Sequence, residues 1–251
     1  MDLQRRQLMF TGLGLAACGS LPTPAEPARP QQAQSLDVAD AQGRTRTMRF
    51  WLHLPNDYSA SGPAWPLLFF LHGSGERGTD MQQVKVHGPP KLVEQGRNLP
   101  FVLVSPQLDA GRSWDPVELQ ALSLALQSRL RVDPQRVSAT GLSLGGHGVW
   151  HWAARFPSAL AAIAPVCGFG RPADACALKQ VPVRAYHGAV DSVVPLKAHQ
   201  AMVDAHRACG GQVDFIVYPG VDHNAWDPAY ADPALVPWLL AARTNPGKAP
   251  A

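Results

Sequence analysis

No apolar run in this chain approaches the ~20 residues that a membrane-spanning helix requires, so no helical span is expected. Charge is also scarce, at 16% of residues with a net +3 at pH 7. So small a surplus, with no lysine/arginine cluster, leaves no electrostatic footprint for nucleic acid. Low charge beside 46% hydrophobic residues argues against disorder and provides for a sizeable core. Cysteine is limited to four residues, none with the spacing of a zinc site, and no metal or organic cofactor is implied. There are no internal repeats. The 251 residues suffice for one large α/β domain or two small ones.

The first residues read as a targeting segment rather than as fold. Arg5 and Arg6 precede a short apolar stretch, Leu8 to Ala17, of signal-peptide length. The arginine pair followed by Gln7, Leu8 and Met9 looks like a twin-arginine export signal, without the usual Ser/Thr ahead of it. Leu15-Ala16-Ala17-Cys18 resembles a bacterial lipobox. Lipidation at Cys18 would anchor the protein to a membrane, in the periplasm or at the cell surface. Gly19 to about Ser35 is rich in Pro, Ala and Gln and reads as an extended tether. A catalytic domain is then expected over 36–243, with a flexible tail at 244–251. Export would place Cys167, Cys176 and Cys209 in an oxidising compartment. Cys167 and Cys176 flank a short loop containing Gly168, Gly170 and Pro172, so a Cys167–Cys176 disulfide is expected, with Cys209 left as a buried free thiol.

From there the chain alternates. Strands are expected at Thr45–Leu54, Leu67–Leu71, Phe101–Val104, Val137–Thr140, Ala161–Val166, Val183–Tyr186 and Val213–Tyr218. Most are continuous apolar runs, as parallel strands covered on both faces require. Helices are expected at Val117–Leu130, Leu144–Arg155, Leu196–Ala208 and Pro233–Ala242, with Pro116 and Pro195 suited to first turns and Gly210-Gly211 to a stop. The alternation implies one doubly wound, mostly parallel α/β sheet that binds ligands at the carboxyl ends of its strands.

One such end carries Gly141-Leu142-Ser143-Leu144-Gly145, which fits the G-x-S-x-G nucleophile elbow between a strand and a helix. A serine there also gains from the helix dipole when negative charge develops. Serine is a poor nucleophile without a base and a group to orient that base. Four histidines follow. His199 and His206 fall mid-helix, and His187 ends a strand, where packing is the ordinary reading. His223, in "YPGVDHNAWDPAY" directly after the last strand, is placed as the base. Asp191, in "HGAVDSVVP", precedes it in the order this fold uses, whereas Asp222 and Asp227 are sequence neighbours badly placed to reach its Nδ1. An oxyanion hole would draw one amide from Leu144 and another from the loop after the early strand, "LFFLHGSGERGTD". That loop lacks the lysine of a phosphate-binding P-loop, and His72 reads as a brace for it.

Together "LHGSGERGTD", "PFVLVSPQ", "VDPQRVSATGLSLGGHGVW", "HGAVDSVVP" and "GVDHNAWDPAYADP" resemble the α/β-hydrolase esterases that carry the labels predicted peptidase, phospholipase and carboxylesterase, and more distantly acyl-protein thioesterases. The likeness covers about Leu67 to Leu240. It implies a Ser143, Asp191, His223 triad, a first oxyanion donor at Ser74, and Trp114 beside the pocket. His147 departs from the family pattern. With His151 it has i, i+4 spacing, but no third metal ligand accompanies the pair.

The expected activity is hydrolysis of carboxylic esters through an acyl-enzyme. A serine peptidase of the same fold is the alternative, and a ligand-binding lipoprotein without turnover is a third reading that the complete triad disfavours. The segment between Val166 and Val183 is too short for a lid, which favours an open cleft, a short acyl group and a small-molecule or polysaccharide-linked ester. No protein partner is evident.

Overall fold

The computed structural model describes residues 27–244. The targeting segment with Cys18, most of the tether and the tail from 245 lie outside them. An eight-stranded sheet runs through the domain in the order β1-β2-β4-β3-β5-β6-β7-β8. Its strands are β1 Gln32–Ala39, β2 Thr45–His53, β3 Trp65–Leu71, β4 Val102–Gln107, β5 Val132–Leu142, β6 Ala162–Val166, β7 Val183–Gly188 and β8 Val213–Tyr218. β1, β2 and β4 pair antiparallel, and every pair from β4 through β8 is parallel. The helices are α1 Gly88–Glu94, α2 Pro116–Gln127, α3 Leu144–Arg155, α4 Leu196–Ala208, α5 Trp226–Ala231 and α6 Leu235–Ala241.

Burial on both faces explains the continuous apolar runs. Adjacent residues of β3 serve opposite layers: Phe69 meets Trp152 of α3 edge-on at 5.0 Å, and Phe70 meets Tyr230 of α5 at 5.9 Å. The Phe69 side collects residues of α2, α3 and α4, and the Phe70 side those of α1, α5 and α6. Asp115 caps α2 by accepting the Val117 amide at 2.7 Å, with Pro116 in the first turn where its missing N–H costs nothing.

Three expectations are corrected. Residues 32–35, read as tether, belong to β1, which pairs with β2 along its whole length. An edge strand needs only backbone partners, so its side chains can stay polar and exposed and leave no apolar signal. The chain is docked even earlier, since the Asn56 side chain accepts from Arg29 N and donates to Pro27 O, both at 3.0 Å. α1 and α5 were not expected either. α1 takes Pro89 and Pro90 into its first turn, where a proline pair otherwise reads as a helix breaker.

The third correction is the disulfide, which joins Cys176 to Cys209 and not Cys167 to Cys176. Cys167 follows β6, donates its amide to Tyr186 O at 2.8 Å and sits fully buried with a free thiol. The 3-10 turn Pro172–Leu178 instead carries Cys176 away from the sheet and onto α4, whose last turn ends at Cys209. Sequence proximity misled because strand and turn point their cysteines into different layers.

Buried histidines supply a second energetic feature. His72, at the end of β3, accepts the Leu108 amide on Nε2 at 3.0 Å and therefore donates Nδ1–H to Gly73 O at 2.7 Å. Desolvation by burial pushes its pKa from 6.5 down to about 4, and His187, His199 and His206 are lowered by the same cause.

Two predictions follow from these contacts. Peptide mapping without reductant should link Cys176 to Cys209 and leave Cys167 free. Cys209→Ser should lose roughly 4 kcal/mol of stability, the loop entropy that the cross-link removes from the unfolded chain. A Cys167–Cys176 peptide would overturn the assignment. For pH, the unfolded chain binds a proton at the His72 position more tightly than the folded one. The stability His72 contributes is therefore complete above pH 6.5 and lost as pH falls towards 4, by about 3 kcal/mol from this residue alone. Urea midpoints across that range should show the loss, and His72→Asn should flatten it. An unchanged slope in that variant would contradict the cause.

Candidate active site

β5 lies in the middle of the sheet, between β3 and β6, and Ser143 is the residue that leaves it. Its backbone sits at φ +51° and ψ −116°, a conformation that L-residues adopt only when the surroundings impose it. The Ser143 amide donates to Val166 O at 2.9 Å and its carbonyl accepts the His147 amide at 3.0 Å, so strand and helix both hold the turn. The flanking glycines are steric requirements. A Cβ on Gly145 would collide with the Leu71 carbonyl, and one on Gly141 would come within 2.7 Å of the same oxygen. The elbow can pass β3 only without side chains there.

His223, in the loop after β8, reaches the serine: Nε2 lies 3.0 Å from Ser143 Oγ. Its Nδ1 lies 2.9 Å from Asp191 Oδ2 and 3.1 Å from Oδ1. The Asp191 side chain is fully buried, and Oδ1 also accepts the amides of Val193 and Val194 at 2.9 and 2.8 Å. Asp191 thus organises its own loop as well as facing the imidazole. Asp222 does a different job. Its Oδ1 accepts from Ser192 N at 2.7 Å and from His223 N at 2.8 Å, clasping the two loops from outside. The Ser192 amide holds the Asp222 carboxyl below its ordinary range.

The loop after β3 is braced as expected. Glu76 accepts the Gly73 amide at 2.8 Å, His72 bonds Leu108 and Gly73, and Trp114 Nε1 donates to His72 O at 3.1 Å. A Cβ placed on Gly73 would stand 3.5 Å from Ser143 Cβ, which locates this loop beside the serine. Ser74 follows it, exposed, with its carbonyl accepting from Arg77 Nε at 3.0 Å. Glu76 occupies the Gly73 amide, and Ser74 is the next residue along the loop. Leu144 opens α3, where the first helical N–H groups have no partner within the helix.

Beside the serine lies a cavity of about 340 Å³ walled by Trp114, Leu144, His147, Gly148, His151 and Phe169. A Cβ on Gly148 would come within 2.7 Å of Trp114, so this glycine lets the indole pack against α3. His147 Nδ1 lies 2.6 Å from Phe169 O, and burial lowers the pKa of both His147 and His151. Neutral rings and aromatic walls make the cavity mostly apolar. Phe169 carried no chemical signal in the sequence, because only the packing of the loop after β6 against α3 brings it here, whereas His151, noted for its i, i+4 spacing with His147, lines the cavity from α3. Among the described residues, the set of metal-ligand types in mutual reach is Cys167, Asp191 and His223, within 4.8 Å of one another. Burial pushes the Cys167 thiol up to about 12, so it packs beneath the site protonated.

Known proteins resemble this chain in sequence and in fold. Residues 107–231, the stretch that contains Ser143, Asp191 and His223, match the dienelactone hydrolase family. Over 124 residues the chain is 32% identical to a Methylorubrum extorquens protein named, provisionally, a carboxymethylenebutenolidase, covering 43% of this chain and 42% of that one. A bifunctional acetylxylan esterase/xylanase from Neocallimastix patriciarum is 28% identical over 162 residues, covering 61% of this chain and 23% of that protein. The chain therefore spans less than half the length of either relative. A thermostable esterase of known structure superposes with a TM-score of 0.70 at 26% identity, over 84% of this chain and 63% of that one. The chain belongs to the α/β-hydrolase superfamily, and within it residues 107–231 match the dienelactone hydrolase family.

Proposed function

We propose that the protein is a serine esterase that cleaves carboxylic esters with short acyl groups through an acyl-enzyme on Ser143. The observation that carries this reading is the hydrogen-bonded chain from Ser143 Oγ through His223 to the buried Asp191 carboxylate, at 3.0 and 2.9 Å. In the first step Ser143 Oγ attacks the ester carbonyl while His223 Nε2 takes its proton. Asp191 holds the imidazole by Nδ1–H and stabilises the imidazolium. The oxyanion of the tetrahedral intermediate accepts from the amides of Leu144 and Ser74. Collapse expels the alcohol, which receives its proton from His223 Nε2. Water activated by the same nitrogen then releases the acid and restores Ser143.

The cavity beside Leu144 supports an apolar acyl subsite, with Trp114 and Phe169 as walls. The connection between β6 and β7 contains a single 3-10 turn, so a longer acyl chain would extend into water. The Cys176–Cys209 disulfide favours an exported protein, consistent with lipid anchoring through Cys18.

Ser143→Ala should fold normally and lose ester turnover by at least ~10³. Asp191→Asn should lose more activity than Asp222→Asn, because only Asp191 faces Nδ1; the reverse order would reassign the acid. Ester and amide substrates separate the esterase reading from a serine peptidase. Esters leave readily, whereas an amide needs a protonated leaving nitrogen and firmer positioning. Aryl acetate and butyrate should be hydrolysed fast, with activity falling as the acyl chain lengthens. Peptide anilides cleaved with a kcat/KM equal to that of the best ester would replace esterase by peptidase.

A further inference from the structure

His187 and His199 are completely buried, and the reaction just described uses neither. His187 stands near the end of β7, and His199 lies in α4. Their Nδ1 atoms are 2.9 Å apart, so one neutral ring must donate and the other accept. A third ring decides which. Trp150 Nε1, in α3, lies 3.4 Å from His199 Nε2, and an indole N–H can only donate. His199 therefore accepts on Nε2, carries its proton on Nδ1 and donates to His187 Nδ1. His187 must then carry its proton on Nε2. That atom lies 2.9 Å from the Val194 carbonyl and 3.2 Å from Asp191 Oδ2.

We propose that Trp150, His199 and His187 form a one-directional relay that holds an N–H dipole against the buried side of the Asp191 carboxylate, making His187 and His199 positioning residues for Ser143, His223 and Asp191. The proposal rests on the serine-esterase reading of that site. Asp191 Oδ2 is hydrogen-bonded to His223 Nδ1 at 2.9 Å and faces His187 Nε2 at 3.2 Å, a charge–dipole contact beside the bond that His187 makes to Val194 O. Val194 closes the arrangement, since its amide donates to Asp191 Oδ1 at 2.8 Å while its carbonyl accepts from His187. The acid loop is thus fixed through one residue in two directions. The relay needs both rings neutral, and desolvation by burial lowers both. Asp191 and His223 face His187; His187 and His147 face His199. Only Asp191 among these favours a cation, and it already has the His223 N–H.

Removing the His187 N–H dipole, which stands 3.2 Å from Asp191 Oδ2, leaves the Asp191 charge less compensated where it faces His223. The imidazolium of His223 is then favoured, and the acid limb of activity moves to higher pH. A purely packing role would not move it.

The relay is tested first without turnover, by nitrogen-15 NMR of the histidine-labelled wild type. His199 should carry its proton on Nδ1 and His187 on Nε2, both neutral at about pH 7. The opposite tautomers, or an imidazolium at either ring, would overturn the relay. The second test compares His187→Leu with His187→Gln, whose side-chain amide can place an N–H where Nε2–H was. With an aryl acetate, His187→Leu should lower kcat about tenfold, leave KM within about twofold, and raise the acid limb of kcat/KM by about half a unit or more. His187→Gln should recover most of both effects even if its Tm falls as far as that of the leucine variant. Should His187→Leu fail to fold, an acid limb in His187→Gln displaced as far as the leucine variant was expected to be would count against the relay. An unmoved acid limb in His187→Leu, with Ser143→Ala inactive, would overturn the relay alone. A fully active Ser143→Ala would overturn the esterase reading instead, leaving the tautomers to decide the relay.

Discussion

The tight crossing of β3 by the turn between β5 and α3 is the constraint on which the rest of this site depends. Gly141 and Gly145 lie against the Leu71 carbonyl so closely that neither position admits a side chain. That contact forces the chain to reverse within one residue, and Ser143 takes the positive φ that results. The strain is sustained by elements that cannot give way, since β3 and β5 pair along most of their length and α3 packs on both. A hydroxyl raised on a strained turn at the head of a helix is useful only if other groups converge on it.

Convergence comes from the parallel sheet. β5, β7 and β8 all end on the same edge, so the residues just beyond them meet although they are far apart in sequence. The loops after β7 and β8 are then tied to each other by Asp222, which accepts from Ser192 and from its own neighbour His223. Beneath them the Asp191 side chain is wholly buried and accepts two amides of its own loop. A buried carboxylate without such partners would be costly, so the loop that carries it must be as well ordered as the sheet. The polar groups surrounding Ser143 are held by bonds that do not involve a substrate, which is the condition for preorganised electrostatic catalysis.

The cavity follows from a different part of the architecture. Trp114 leaves β4's connection to α2 and lies over Gly148, with its N–H on the His72 carbonyl. His72 is thereby linked to the cavity on one side and to the loop carrying Ser74 on the other. A single neutral histidine in the core couples the two, and its burial makes the coupling sensitive to acid.

The one-dimensional pattern was enough for the α/β architecture, for most of the parallel strands, and for expecting Ser143, Asp191 and His223 at one edge of the sheet, where their side chains meet. Each of these three follows an apolar run, and in a doubly wound sheet such a position maps directly onto the carboxyl edge. Trp114 and Ser74 were reached only through resemblance to other hydrolases, because nothing local distinguishes them. Tertiary structure alone decided the rest. The edge strand β1 opens with the polar, exposed residues 32–35 and turns only Leu36 and Val38 toward the core, so it carried little apolar signal. The cysteine pairing depended on the 3-10 turn docking against α4, not on the spacing of Cys167 and Cys176. His187 and His199 read as ordinary packed residues until α3, α4 and β7 brought a tryptophan, two imidazoles and a carboxylate into line. Periodicity records which face of an element is buried, whereas a hydrogen bond between distant elements exists only once they have packed.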